Sequence, residues 1–173
     1  LPVRDPGTAG VLTHVPLSPK DEVDAAVKAG AEAFREWRRT PAGERIQPLF
    51  RLKVLLEQNR EEIARTITRE CGKTYVESDA EIQRAIENIE VACGAPSMMQ
   101  GVTNEDIARG IDESMVRQPL GVVAAITPFN FPLMVPLWFM PYAVACGNSF
   151  LLKPSEKVPM TMMKLMELVT QAG

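Results

Sequence analysis

The chain has 173 residues, one ordinary domain's worth, and its 46% apolar content is enough to build a packed core. A net charge of −3 gives no electrostatic case for nucleic acid or an anionic membrane surface as partner. Three widely spaced cysteines, Cys71, Cys93 and Cys146, form no CxxC pair and no disulfide framework, which fits a reducing, cytoplasmic setting and leaves small buried apolar groups as their plainest role.

No charged-then-apolar leader opens the sequence. The abrupt start at Leu1-Pro2 and the stop at Gln171-Ala172-Gly173, where a helix is due to cap, give the expectation that both ends are cut. Asp5-Pro6-Gly7-Thr8-Ala9-Gly10 is a turn cluster, and Val11 to Val15 reads as a short strand. Ser18-Pro19-Lys20-Asp21 predicts a helix start with Ser18 as N-cap, Pro19 in first position and Asp21 as the returning acid. Val23, Ala26, Val27, Gly30, Ala33, Phe34 and Trp37 then recur on one stripe. Thr40-Pro41 starts a second helix lined by Ile46, Leu49, Phe50, Val54 and Leu56, which Pro48 is expected to bend. Asn59-Arg60-Glu61-Glu62 has the form of a new cap, and that helix stops at Cys71-Gly72. A further helix runs from about Val76 to Cys93 with Ile82, Ile86 and Ile89 inward. Residues 100–118 change character: they are polar, hold Gly110 and keep neither period clearly, so they read as an extended excursion or hairpin.

From Leu120 to Leu152 there is no charged side chain. A run of that length raises a membrane span, which needs about 20 apolar residues in succession. Pro128, Pro132, Pro136 and Pro141 would interrupt any single helix, and Asn130 and Asn148 are polar. Three buried elements fit better: a strand over Gly121–Thr127, a helix from Pro132 to about Ala145 bent by Pro136 and Pro141, and a strand over Ser149–Lys153. Strand, helix and strand make one βαβ unit and hence a parallel sheet. Pro159 opens a last helix bearing Met162, Met163, Leu165, Met166 and Val169. The fold class is therefore α/β, with helices flanking a parallel sheet.

Open α/β sheets bind ligands at the carboxyl ends of their strands. Asn130 follows the first strand there, and Lys153 closes the second with Glu156 three residues on. The Asn130 amide offers two donors without a proton equilibrium, suited to an oxyanion, or it caps the next helix. Lys153 either lays its stem on apolar surface or joins Glu156 as a couple for the hydroxyls of a ribose. Arg84 lies on the opposite side of its helix from Ile82, a solvated face on geometry alone. No GxGxxG occurs, and the single histidine, His14, excludes a histidine-rich metal site.

Ile126-Thr127-Pro128-Phe129-Asn130-Phe131-Pro132, then Gly147-Asn148, then Lys153-Pro154-Ser155-Glu156 form a pattern that resembles the aldehyde dehydrogenase superfamily. Asp5 to Gly10, Ala33 to Trp37 and Glu70-Cys71-Gly72-Lys73-Thr74 agree with it. Phe129, Trp138 to Pro141, Ile86 to Glu90 and Gly94 to Met99 are similar to the CoA-acylating branch, which acts on malonate and methylmalonate semialdehydes. The likeness runs nearly end to end and corresponds to about the first third of a family member.

The resemblance implies NAD-dependent oxidation of a semialdehyde to an acyl-CoA through a cysteine thioester, with CoA as co-substrate. It implies that Thr127 and Phe129 line the nicotinamide side of the cofactor cleft and that Asn130 serves the oxyanion. Lys153 and Glu156 would hold the adenosine ribose, Glu156 would repel a 2′-phosphate, Lys157 stands where relatives carry Arg near the cofactor, and Arg84 would read the substrate carboxylate. Residues 1–173 would be the N-terminal portion of an NAD-binding domain, with 100–118 as a subunit contact in a dimer or tetramer. The catalytic domain and its cysteine would lie beyond Gly173, so this chain alone is expected to be inactive. Two alternatives remain: a non-acylating semialdehyde dehydrogenase, and a non-catalytic fragment that binds nucleotide or self-associates.

Overall fold

Alternation and helical period translate into a layered arrangement that a computed structural model describes for residues 1–173. Strands β1 (Pro2–Arg4) and β2 (Val11–His14) form an antiparallel pair, of which the sequence reading gave only the second. Helix α1 spans Lys20–Trp37, but its N-cap is Pro19 with no side-chain cap bond, so Ser18 does not cap it. The stripe on α1 is only partly used. Gly30 is its one buried residue, and an added Cβ there would meet Val122, Ser149 and Leu151, so the missing side chain lets the helix lie close on the strands. Val23 and Val27 stay 53% and 46% exposed.

The second helix of the sequence reading is two. Helix α2 is Ala42–Arg45 and α3 is Gln47–Gln58, with Pro48 in the first turn of α3. A proline there loses no helical hydrogen bond, so Pro48 starts a helix rather than bending one. Helix α4 (Arg60–Cys71) ends on Gly72, whose φ of 81° is the left-handed stop expected. Asn59 stands at its N-cap position, as expected, but its side chain makes no cap bond; its amide turns back to the Leu55 carbonyl. Helix α5 (Tyr75–Ala92) opens with a full capping box between Thr74 and Glu77, a signal the sequence reading passed over. Arg60 grips Asp79 through two nitrogens, joining α4 to α5. A short α6 (Ala95–Met98) follows.

Residues 100–118 are a hairpin. Strands β3 (Val102–Ala108) and β4 (Ile111–Met115) are antiparallel, turn at Arg109-Gly110 and bulge between Asn104 and Ala108. Every residue of both strands is exposed, and the strands pack mainly on each other.

The βαβ unit stands as the sequence predicts. Strand β5 (Val122–Ile126) runs parallel to β6 (Ser149–Lys153), and α7 (Met134–Ala145) connects them. Pro136 falls in the first turn of α7, where its missing N–H is not needed; only Pro141 is interior. Phe150 and Leu152 point from the pair into the main core, which Leu52, Leu56, Ile63, Ile67, Ile82, Ile86, Leu133 and Leu165 build from α3, α4, α5, α7 and the last helix, α8 (Pro159–Ala172). Buried Asn148 locks the start of β5 to the end of α7: its oxygen accepts from the Leu120 and Gly121 amides and its nitrogen donates to the Ala143 carbonyl. No helix is long and apolar enough to cross a membrane.

Candidate active-site edge

The register of the parallel pair decides which residues meet. Ile126 is level with Lys153, and the Thr127 amide donates to the Lys153 carbonyl at 3.1 Å. The loop after β5, carrying Thr127, Phe129 and Asn130, therefore leaves the sheet at the same edge as the loop after β6, carrying Lys153, Glu156 and Lys157. Their side chains also meet. The Lys157 ammonium stands 4.5 Å from the Phe129 ring centroid, close enough for cation–π attraction across the two loops.

Lys153 pairs with Glu156 at 3.4 Å, both well exposed. The Glu156 backbone N–H and the Lys153 ammonium hold the Glu156 carboxyl below its usual range. A cation and an ionised acceptor thus stand side by side in solvent, a donor set that fits a vicinal diol. Thr127 is buried, while Phe129 is half exposed and offers a flat apolar face.

Asn130 is exposed, and its side-chain amide makes no hydrogen bond within the chain. The capping alternative does not hold. The cap position of α7 is Leu133, without a side-chain cap of its own, and the Leu133 and Met134 amides donate to Glu81 of α5 at 2.8 and 3.1 Å. Lys73 joins this group: its ammonium donates to Glu81 at 2.6 Å and to the Asn130 carbonyl at 2.7 Å. A second buried acid, Glu70 of α4, accepts from the Met160 and Thr161 amides at the start of α8. Burial pushes the Glu70 carboxyl up, against the opposing pull of those bonds.

Lys73, Glu70 and Glu81 are absent from the sequence-based set of site residues. Glu70 and Lys73 lie within a stretch that carries the family resemblance but have no role in that reading; the further signal for the two acids is position, on helix faces otherwise apolar, where an unpaired charge is not tolerated.

Arg84 is exposed on α5 and shares no hydrogen bond or ion pair with either loop through its guanidinium. It borders a depression with Met134 and Trp138, on the helix into which the Asn130 loop runs. Neither Cys71 nor Cys93 is prepared as a nucleophile here. Burial pushes the Cys71 and Cys93 thiols up, and Cys71 donates weakly to the Phe129 carbonyl at 3.5 Å.

The profile of the aldehyde dehydrogenase family matches residues 1–173. Over 171 residues the chain is 53% identical to malonate-semialdehyde dehydrogenase 2 of Geobacillus thermodenitrificans, an alignment covering 99% of this chain and 35% of that protein. Its backbone is similar to that of the methylmalonate-semialdehyde dehydrogenase DddC of Oceanimonas doudoroffii, with a TM-score of 0.97, 44% identity, and coverage of 100% of this chain and 36% of that one. It is also similar to an NAD-dependent benzaldehyde dehydrogenase of Corynebacterium glutamicum, with a TM-score of 0.93, 30% identity, and coverage of 100% and 38%. The chain thus spans about a third of the length of the relatives it matches. With the profile matched from Leu1 to Gly173, and the backbone similar over its whole length to a solved relative, the chain belongs to the aldehyde dehydrogenase family.

Proposed function

We propose that this chain is the N-terminal part of an NAD-dependent, CoA-acylating dehydrogenase for malonate or methylmalonate semialdehyde, and that it supplies part of the cofactor cleft and one oxyanion donor. The observation that carries the reading is the shared sheet edge, where the Thr127–Asn130 loop and the Lys153–Lys157 loop emerge side by side. Lys153 and Glu156 hold the ribose hydroxyls; the Glu156 carboxylate repels a 2′-phosphate and so favours NAD over NADP. Thr127 and the Phe129 face border the nicotinamide side, and the Lys157 ammonium stays over that ring. When bound, NAD accepts the two electrons of aldehyde oxidation.

Asn130 donates its free amide to the aldehyde oxygen as negative charge gathers there during attack by a cysteine carried outside these residues. Arg84 holds the carboxylate end of the substrate by charge-assisted bonds, in the open depression that Met134 and Trp138 also line. The exposed hairpin of β3 and β4 serves a homo-oligomer, and the enzyme works in the cytoplasm.

NADH formation from malonate semialdehyde by the full-length protein, with and without CoA, tests the reading. Turnover that requires CoA is expected, and the 173-residue chain alone should bind NAD saturably without turnover. Turnover indifferent to CoA would replace the reading with the non-acylating one. Self-association of the chain without NAD binding would leave only the fragment role that the exposed hairpin favours.

A further inference from the structure

The loop that carries Asn130 is fastened on both sides of Phe131-Pro132. On one side the Lys73 ammonium donates to the Asn130 carbonyl at 2.7 Å, and the Cys71 thiol reaches the preceding carbonyl, that of Phe129, at 3.5 Å. On the other side Glu81 takes the Leu133 and Met134 amides through one carboxylate oxygen. Its second oxygen binds Lys73 at 2.6 Å, so the two fastenings are one unit. The Glu81 side chain is fully buried and that of Lys73 is 14% exposed. The ammonium also lies 4.3 Å from the Phe131 ring centroid, so the residue after Asn130 is held as well.

A buried lysine–glutamate pair is a poor means of stabilising a fold, because desolvating both charges offsets their attraction. This pair directs every hydrogen bond it makes beyond itself to backbone groups of a single loop and the first turn of α7. Charge-assisted bonds of that kind hold geometry within tenths of an ångström. The Asn130 side chain, by contrast, is left without an internal partner.

We infer that Lys73 and Glu81 are positioning residues, which fix the Asn130 backbone so that its side-chain amide is aimed before substrate arrives. The inference rests on the reading of Asn130 as the oxyanion donor. Lys73 touches no reacting atom, and its effect runs wholly through Asn130.

The test is a double-mutant cycle in the full-length enzyme, reading the first-turnover rate of NADH formation together with NAD affinity. Asn130→Ala should lower the rate by about 10²–10³-fold, the usual loss of an oxyanion donor. Lys73→Met should lower it by about 10–100-fold, as small misplacements of a reacting geometry do, and leave NAD affinity within about twofold. In the Asn130→Ala background Lys73→Met should then cost nothing further, because the amide it aims is gone. Should Lys73→Met fail to fold, Lys73→Met/Glu81→Gln removes both buried charges, keeps an acceptor for the α7 amides, and enters the same cycle.

A folded Lys73 variant with the wild-type rate would overturn the positioning role while leaving Asn130 in place. The same fold-loss in both backgrounds would do so too, since it would mean Lys73 acts elsewhere. An unaltered rate in Asn130→Ala would remove the oxyanion reading itself, and this inference with it.

Discussion

At the residue scale, a buried acid, Glu70, and a partly exposed one, Asp79, shift in opposite directions. Burial raises the Glu70 carboxyl, helped by the nearby Glu81 charge and opposed by the bonds from Thr161 and Met160. A raised carboxyl binds its proton more readily folded than unfolded. Its stabilising contribution is full below the unfolded value of about 4.3 and is lost as pH rises through the folded value. Asp79 has the opposite sign: the Arg60 hydrogen bond lowers it, so its contribution holds above about 3.9 and fades as pH falls. For Glu70→Gln, the wild-type-minus-variant difference in Tm should therefore shrink as pH rises from about 4 toward neutrality. A difference that stays flat or grows over that range would contradict the burial assigned to Glu70. Arg84 carries a separate expectation. Arg84→Ala in the full-length enzyme should raise KM for an acid-bearing aldehyde by about 10-fold or more, the order of one lost charge-assisted bond, with little change for a neutral aldehyde. Equal changes for both would take Arg84 out of the substrate site.

At the element scale, the hairpin of β3 and β4 is separable. It shares no core residue with the rest, and its tip at Arg109-Gly110 stands free. Replacing residues 102–115 by a short flexible linker should leave the Tm of the remainder within about 2 °C, because no apolar contact is lost from the core. It should also reduce the sedimenting mass of the full-length protein. A large fall in Tm would mean that the strands brace the core by a route their exposure does not reveal. The elements were the most legible level of the sequence. The chargeless stretch from Leu120 to Leu152 divides at its own prolines and at Gly147-Asn148, and its two strands lie within one residue of where its apolar runs put them. Local signals failed where a cap was supplied from afar. Ser18 is not at the cap position and Asn59 is there without a side-chain cap bond, while α7 and α8 receive theirs from Glu81 and Glu70 across folded space. Such a cap leaves no mark next to the helix it serves. The stripe on α1 likewise reported its period correctly, but a period cannot say how much of a face finds a partner.

On the scale of the whole molecule, the parallel pair has two strands and so two open edges. Ile126 at the end of β5 is 81% exposed, and Trp138 and Phe139 of α7 are 43% and 50% exposed. Open strand edges beside apolar surface recruit other chains. The isolated 173-residue chain should therefore scatter light increasingly with concentration, and Ile126→Lys should lower that scattering at equal concentration. Unchanged scattering would point to the hairpin rather than to the sheet edge. The shared edge of the candidate site was legible at this scale because strand direction alone brings Asn130 and Lys153 to it. Its bracing was not, because Lys73 and Glu81 reach the loop only once α5 lies against α7.

The long-range caps also impose an order of events on the ribosome. Glu81 leaves it 52 residues ahead of the first amide it will bind, and Glu70 precedes its own by as many as 91. At about 5–20 residues per second, the latter interval is roughly 5 to 18 seconds. Over that interval Glu81 has the Lys73 ammonium, eight residues before it, as a partner, while the backbone amides that Glu81 and Glu70 will accept from are still to come. The starts of α7 and α8 can be capped only when translation delivers them, so the two loops at the sheet edge reach their final form after that point.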